Sequence, residues 1–118
     1  MKTILIADPD PAARKALTLI LKHRFGMEQV HQAGDIETLI RVLDDCPPEM
    51  LLLDWELYGA PAPETCRLLH KAYPTLKIIL LSANSDDVNA ACKADAVFIH
   101  KGAAPEQLIA TLMPLLDE

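Results

Sequence analysis

Five short apolar runs, alternating with longer stretches of helical period, constrain this chain more than anything else in its sequence. Thr3-Ile4-Leu5-Ile6-Ala7 is hydrophobic on both faces, as a strand in the middle of a parallel sheet must be. Met50 to Leu53 repeats the pattern and ends at Asp54, Lys77 to Leu81 ends at Ser82, and Ala96 to His100 ends at Lys101. Gln29 to Ala33 keeps polar positions, which suits an edge strand. Between the runs, Ala13, Ala16, Leu17, Ile20 and Leu21 fall on one face of a helix that Asp10-Pro11 opens and Gly26 ends. Gly34-Asp35 opens a second helix with Ile36, Leu39, Ile40 and Leu43 inward, and Cys46-Pro47-Pro48 stops it. After the loop Tyr58-Gly59-Ala60-Pro61 a third helix runs to about Tyr73. Ser85 is placed to cap a short fourth through about Lys93, and Pro105-Glu106 opens a last one with Leu108, Ile109, Leu112 and Leu115 inward.

Strand and helix in strict alternation imply right-handed crossovers and helices on both faces of a parallel sheet. The expected fold class is α/β, a doubly wound five-stranded parallel sheet of order 2-1-3-4-5 with five helices. At 118 residues and 51% hydrophobic side chains the chain reads as one domain, 1–118, able to sustain a core without staples. Its net charge of −6 argues against a nucleic-acid or anionic-membrane surface, since both need clustered positive charge. Arg14, Lys15, Lys22, His23 and Arg24 form the only basic cluster and read as a solvated helix face. Cys46, Cys66 and Cys92 contain no CxxC pair, which fits a reducing cytoplasm. Cys66 and His70 share a helix face without a second ligand pair, so a core thiol and a surface imidazole are expected. No GxGxxG, GxxxxGK[ST] or GxSxG occurs, which disfavours a nucleotide loop or a hydrolase elbow.

In open parallel sheets ligands bind beyond the carboxyl ends of the strands. The first hydrophilic residues there are Asp8, Asp54, Ser82 and Lys101, and the predicted order sets Asp8 and Asp54 side by side at the switch point. Two like charges so placed call for a cation, and a hard divalent ion such as Mg2+ suits oxygen ligands. Metal, lysine and hydroxyl together suit a phosphoryl group carried on Asp54.

From Ile4 to Leu116 the chain resembles the receiver domains of two-component response regulators, a flavodoxin-like fold. The resemblance rests on Ile6-Ala7-Asp8, Leu52-Leu53-Asp54, Leu81-Ser82-Ala83 and Ile99-His100-Lys101 in that order at four strand ends. It implies that Asp54 is the phosphoacceptor, charged by a histidine kinase or phosphotransfer protein, and that Ser82 and Lys101 bind the phosphoryl oxygens. It further implies a signalling domain and not an enzyme, an aromatic switch at Phe98, and pairing of copies through the fourth helix, fifth strand and fifth helix. No DNA contact by this domain is expected. The stretch from Lys101 to Glu106 looks more like regulators with a LuxR-type output than those with a winged helix.

One departure stands out. Receivers usually end their first strand in two adjacent acids, whereas this chain reads Asp8-Pro9-Asp10-Pro11. Pro9 supplies no carboxylate. Asp10 is a substitute ligand with a competing task as helix cap, and Glu56, whose position gives a backbone carbonyl to metal in the family, could add its side chain or face water. Gly102 follows Lys101 where many receivers have a proline after a cis bond, and Tyr58 stands where the acceptor loop often has proline. The expected pocket keeps its acceptor and binds Mg2+ weakly; the alternative is a degenerate receiver that acts as an interaction module without phosphate.

Overall fold

Side-chain alternation along each central strand decides which helices it supports. In the computed structural model, which describes residues 3–27, 29–57 and 61–116, the strands are β1 (Thr3–Ala7), β2 (Gln29–Ala33), β3 (Met50–Asp54), β4 (Lys77–Ser82) and β5 (Val97–His100). They pair in parallel in the order β2-β1-β3-β4-β5. Ile4, Ile6, Met50, Leu52, Ile79 and Leu81 point to one face and pack with Leu21 of α1 (Pro11–Phe25) and Leu108 and Leu112 of α5 (Pro105–Leu116). Leu5, Ala7, Leu51, Leu53, Ile78 and Leu80 point to the other. There they meet Leu39 of α2 (Ile36–Asp45), Cys66 of α3 (Ala62–Ala72) and Ala91 of α4 (Val88–Lys93). Each strand thus feeds two cores at once, and the expected doubly wound class is the observed one.

Local chemistry fixes the helix ends. Asp10 is extended (φ −90°, ψ 114°) and its side chain accepts the Ala12 amide at 3.0 Å, with Pro11 at the first helical position. Gly26 closes α1 at φ +65°, a left-handed conformation in which a Cβ would be strained. Asp35 caps α2 by accepting the Thr38 amide at 2.8 Å, and that bond holds its carboxyl below the ordinary range.

Several expectations are corrected. Asn84, not Ser85, is the cap before the fourth helix: its side chain accepts the Asp86 amide at 3.0 Å and starts a 3₁₀ turn, Ser85–Asp87, from which α4 continues. β5 begins at Val97, one residue late. Ala16 and Ile40 are exposed, because the buried arcs of α1 and α2 are narrower than their apolar stripes. Thr18 is buried instead, its hydroxyl donating to the Arg14 carbonyl and accepting from Gln32. In α5 Leu115 is half-buried and packs against the core as expected, and Leu116 beside it is buried as well. Tyr58, Gly59 and Ala60 lie outside the described residues.

Candidate functional site

The carboxyl ends of β1, β3, β4 and β5 bring Asp8, Asp54, Ser82 and Lys101 to one rim. Asp8 follows β1, where its amide bonds to the Ala33 carbonyl, and Asp54 ends β3 beside Leu81 in register. The amide of Lys101 donates to the Ser82 carbonyl at 2.8 Å, which extends the β4–β5 ladder by one step. Asp8 and Asp54 are 2% and 3% exposed, so neither carboxylate has water to solvate it fully.

Lys101 supplies what water does not. Its Nζ lies 2.6 Å from Asp54 Oδ1 and 3.0 Å from Asp8 Oδ2, bridging the two acids. Partial burial disfavours the ammonium, but hydrogen bonds and Coulomb attraction from Asp54 and Asp8 outweigh it and hold the lysine pKa above its ordinary value. The remaining carboxylate oxygens take backbone donors: Asp8 Oδ1 accepts the Asp10 amide at 2.8 Å and Asp54 Oδ2 the Glu56 amide at 3.1 Å.

The other residues singled out from the sequence are placed differently. Asp10 is exposed and its carboxylate is engaged as the α1 cap. The Glu56 side chain is exposed. Ser82 is buried, and its hydroxyl donates to Asp87 Oδ2 at 2.6 Å. Phe98 is half-buried on the edge strand β5 and packs against the core on the α2–α4 side, with Leu80 as its neighbour in register. Cys66 is fully buried, its thiol donating to the Ala94 carbonyl at 3.4 Å and lying 3.9 Å from His70 Nδ1. All described peptide bonds are trans, Lys101–Gly102 included.

Two residues with a part in the site escaped the sequence reading. Arg14, expected on a solvated face, is half-buried; its Nη1 donates to the Asp8 carbonyl at 2.6 Å and its Nε to Gln32 at 3.3 Å. This ties α1 to the ends of β1 and β2. Asp87 is the other, and nothing in its sequence surroundings singles it out from Asp86.

For a divalent ion the rim offers two buried carboxylates, Asp8 and Asp54. Pro9 removes the third carboxylate that a fuller ligand set would have. Among the described residues no three His, Cys, Asp or Glu side chains gather into a metal-holding group. The oxygens that remain fit Mg2+, which keeps several waters and needs few protein ligands, but in a reduced set already bridged by an ammonium.

An acid pair bridged by lysine at the switch point of a doubly wound sheet defines the class of the site. Residues 4–113 match the response regulator receiver domain family, and the chain belongs to it. It is 31% identical over 115 residues to a Ycf55-like protein of Synechocystis sp., covering 93% of this chain and 20% of that one. It is 30% identical over 120 residues to the phosphate regulon transcriptional regulatory protein PhoB of Pseudomonas aeruginosa, covering 98% and 52%. The chain thus spans a fifth to about half of these relatives. Among solved structures it resembles the response regulator DrrB of Thermotoga maritima, an OmpR/PhoB homologue (TM-score 0.87, 26% identity, 99% of this chain and 53% of that one). A LuxR-family regulator from Aurantimonas sp. shares the fold (TM-score 0.87, 21% identity, 99% and 86%). Receiver domains are signalling domains and generally bind Mg2+ at the acidic pocket. No helix among the described residues is long and apolar enough to cross a membrane.

Proposed function

We propose that this receiver domain, taken as a single unit over residues 1–118, accepts a phosphoryl group on Asp54 from a phosphohistidine of a histidine kinase or phosphotransfer protein in the cytoplasm. The observation that carries the reading is the Lys101 ammonium, 2.6 Å from Asp54 and 3.0 Å from Asp8. A cation so placed neutralises charge where a phosphoryl group would add it. A carboxylate oxygen of Asp54 forms the new bond to phosphorus while the phosphorus–nitrogen bond breaks, its electron pair staying on the imidazole. Lys101 and Ser82 then hold the phosphoryl oxygens. Asp8, Asp54 and the Glu56 carbonyl would hold Mg2+, which would supply further neutralisation of those oxygens. The mixed anhydride is reactive enough to hydrolyse, which suits a reversible signal.

The readout we propose is a change in partner binding or pairing of copies through α4, β5 and α5, with Phe98 as the moving aromatic. Val88, Val97 and Met113 on these elements are 39%, 37% and 48% exposed, an apolar supply for such a contact. The test is intact mass after incubation with a small acyl phosphate and Mg2+, beside Asp54→Asn. An adduct on the unaltered chain alone is expected. Its absence, with a kinase also failing, leaves the degenerate interaction module, the reading that Pro9 favours. Titrating Mg2+ against the fluorescence of Trp55, next to Asp54, is expected to saturate only above the millimolar range; tighter saturation refutes the weak-metal expectation.

A further inference from the structure

We propose that Asp87 is a latch on the phosphoryl-binding hydroxyl, so that charging Asp54 must first break a bond between Ser82 and Asp87. The inference rests on the reading of Asp54 as acceptor. The Ser82 hydroxyl has one proton, and Oγ donates it to Asp87 Oδ2 across 2.6 Å, the short distance of a charge-assisted bond. While that bond stands, Ser82 has no proton for a phosphoryl oxygen. The same oxygen accepts the Asn84 amide at 3.1 Å, which fixes the hydroxyl's direction. Asp87 also lines the recess shared by Asp54, Glu56, Ser82 and Lys101, and its negative charge there opposes an incoming anion.

The latch reaches beyond the recess. Asp87 ends the 3₁₀ turn, its amide bonds to the Asn84 carbonyl at 3.1 Å, and α4 starts at the next residue. The end of β4 is therefore tied to the start of α4 through one side chain. Turning the Ser82 hydroxyl toward a phosphoryl group releases Asp87, and with it the first turn of a helix only six residues long. Occupancy of Asp54 and the order of the α4 segment become alternatives of one hydrogen bond.

The test uses acetyl phosphate with Mg2+ as the probe. A carboxylate oxygen of Asp54 bonds to phosphorus as the bond to the acetyl oxygen breaks and acetate leaves with the electron pair. Adduct formation at subsaturating donor is followed by intact mass for the unaltered chain, Asp87→Asn, Asp87→Ala, Ser82→Ala and the Ser82→Ala/Asp87→Asn pair, with Asp54→Asn locating the adduct. Losing a hydrogen bond to a charged partner changes such a step about tenfold or more. Both Asp87 variants are expected to gain adduct about tenfold faster, with little gain in the Ser82→Ala background. Without any donor, Asp87→Ala is expected to speed amide exchange over residues 84–93. Equal or slower charging in both Asp87 variants overturns the latch and leaves the acceptor standing. An undiminished gain in the Ser82→Ala background also overturns it, since charge alone would then act. No adduct on any of the proteins, with a kinase also failing to charge them, overturns the acceptor reading and the latch together.

Discussion

Replacing Lys101 by methionine isolates the electrostatics of the rim. The variant keeps an unbranched side chain of similar length but removes the charge between two acids that are 2% and 3% exposed. Laid end to end, the 3.0 and 2.6 Å contacts put the two carboxylate oxygens no more than about 5.6 Å apart. At an effective dielectric of about 20, unit charges at that separation repel by about 3 kcal/mol. Lys101→Met should therefore lose about 3 kcal/mol at pH 7, in line with the cost of stripping one partner from a buried ion pair. Adding Asp54→Asn to Lys101→Met should restore most of the loss, because it removes one of the two repelling charges. Urea denaturation of the unaltered chain and both variants at pH 7.5 measures both quantities. If Lys101→Met is as stable as the parent, or Asp54→Asn restores none of its loss, Lys101 is not the neutralising cation and the site's electrostatics are wrong.

A thiol reagent on the native protein should modify Cys46 and Cys92 quickly and Cys66 slowly, because Cys66 is fully buried and burial, with Asp95 nearby, pushes its pKa up to about 11. Above the ordinary thiol value of 9.0 the folded state holds the Cys66 proton that the unfolded chain releases, so stability should fall as pH rises from 9.0 to about 11. Lys101 acts in the same direction at higher pH: its raised pKa adds stability that is complete below the ordinary lysine value and lost above it. Thermal melts across that range, with Cys66→Ala as reference, check the sign. Asp10→Ala should lower stability by about 1 kcal/mol and Asp10→Ser by only a few tenths, since serine can still accept the Ala12 amide. Leu52→Ala, at a position with no exposure in the middle strand, should cost about 3 kcal/mol in chemical denaturation.

Features that depend on period and on neighbours in sequence were legible before any coordinates. Ile4 and Ile6 against Leu5 and Ala7 announce a strand with two buried faces, and Asp10-Pro11 and Gly34-Asp35 announce helix starts by chemistry that acts within three residues. The four rim residues could be found because a parallel sheet puts every strand's carboxyl end on the same side. Choices between equivalent local partners were not legible. Asn84 and Ser85 are both good caps, and it is Asn84 that takes the extended conformation and accepts the Asp86 amide. Arg14 looked like one more cation on a wet helix until the end of β1 offered it a carbonyl. The pairing of Ser82 with Asp87 over Asp86 depends on where a single 3₁₀ turn points.

The bond between Asp8 and Lys101 closes a span of 93 residues. A ribosome delivers both acids long before it delivers the amine that reconciles them, so a nascent chain carries two like charges with nothing between them. The balanced rim exists only once the final strand has docked, and the last third of the domain therefore decides when the first two thirds can bury their acids.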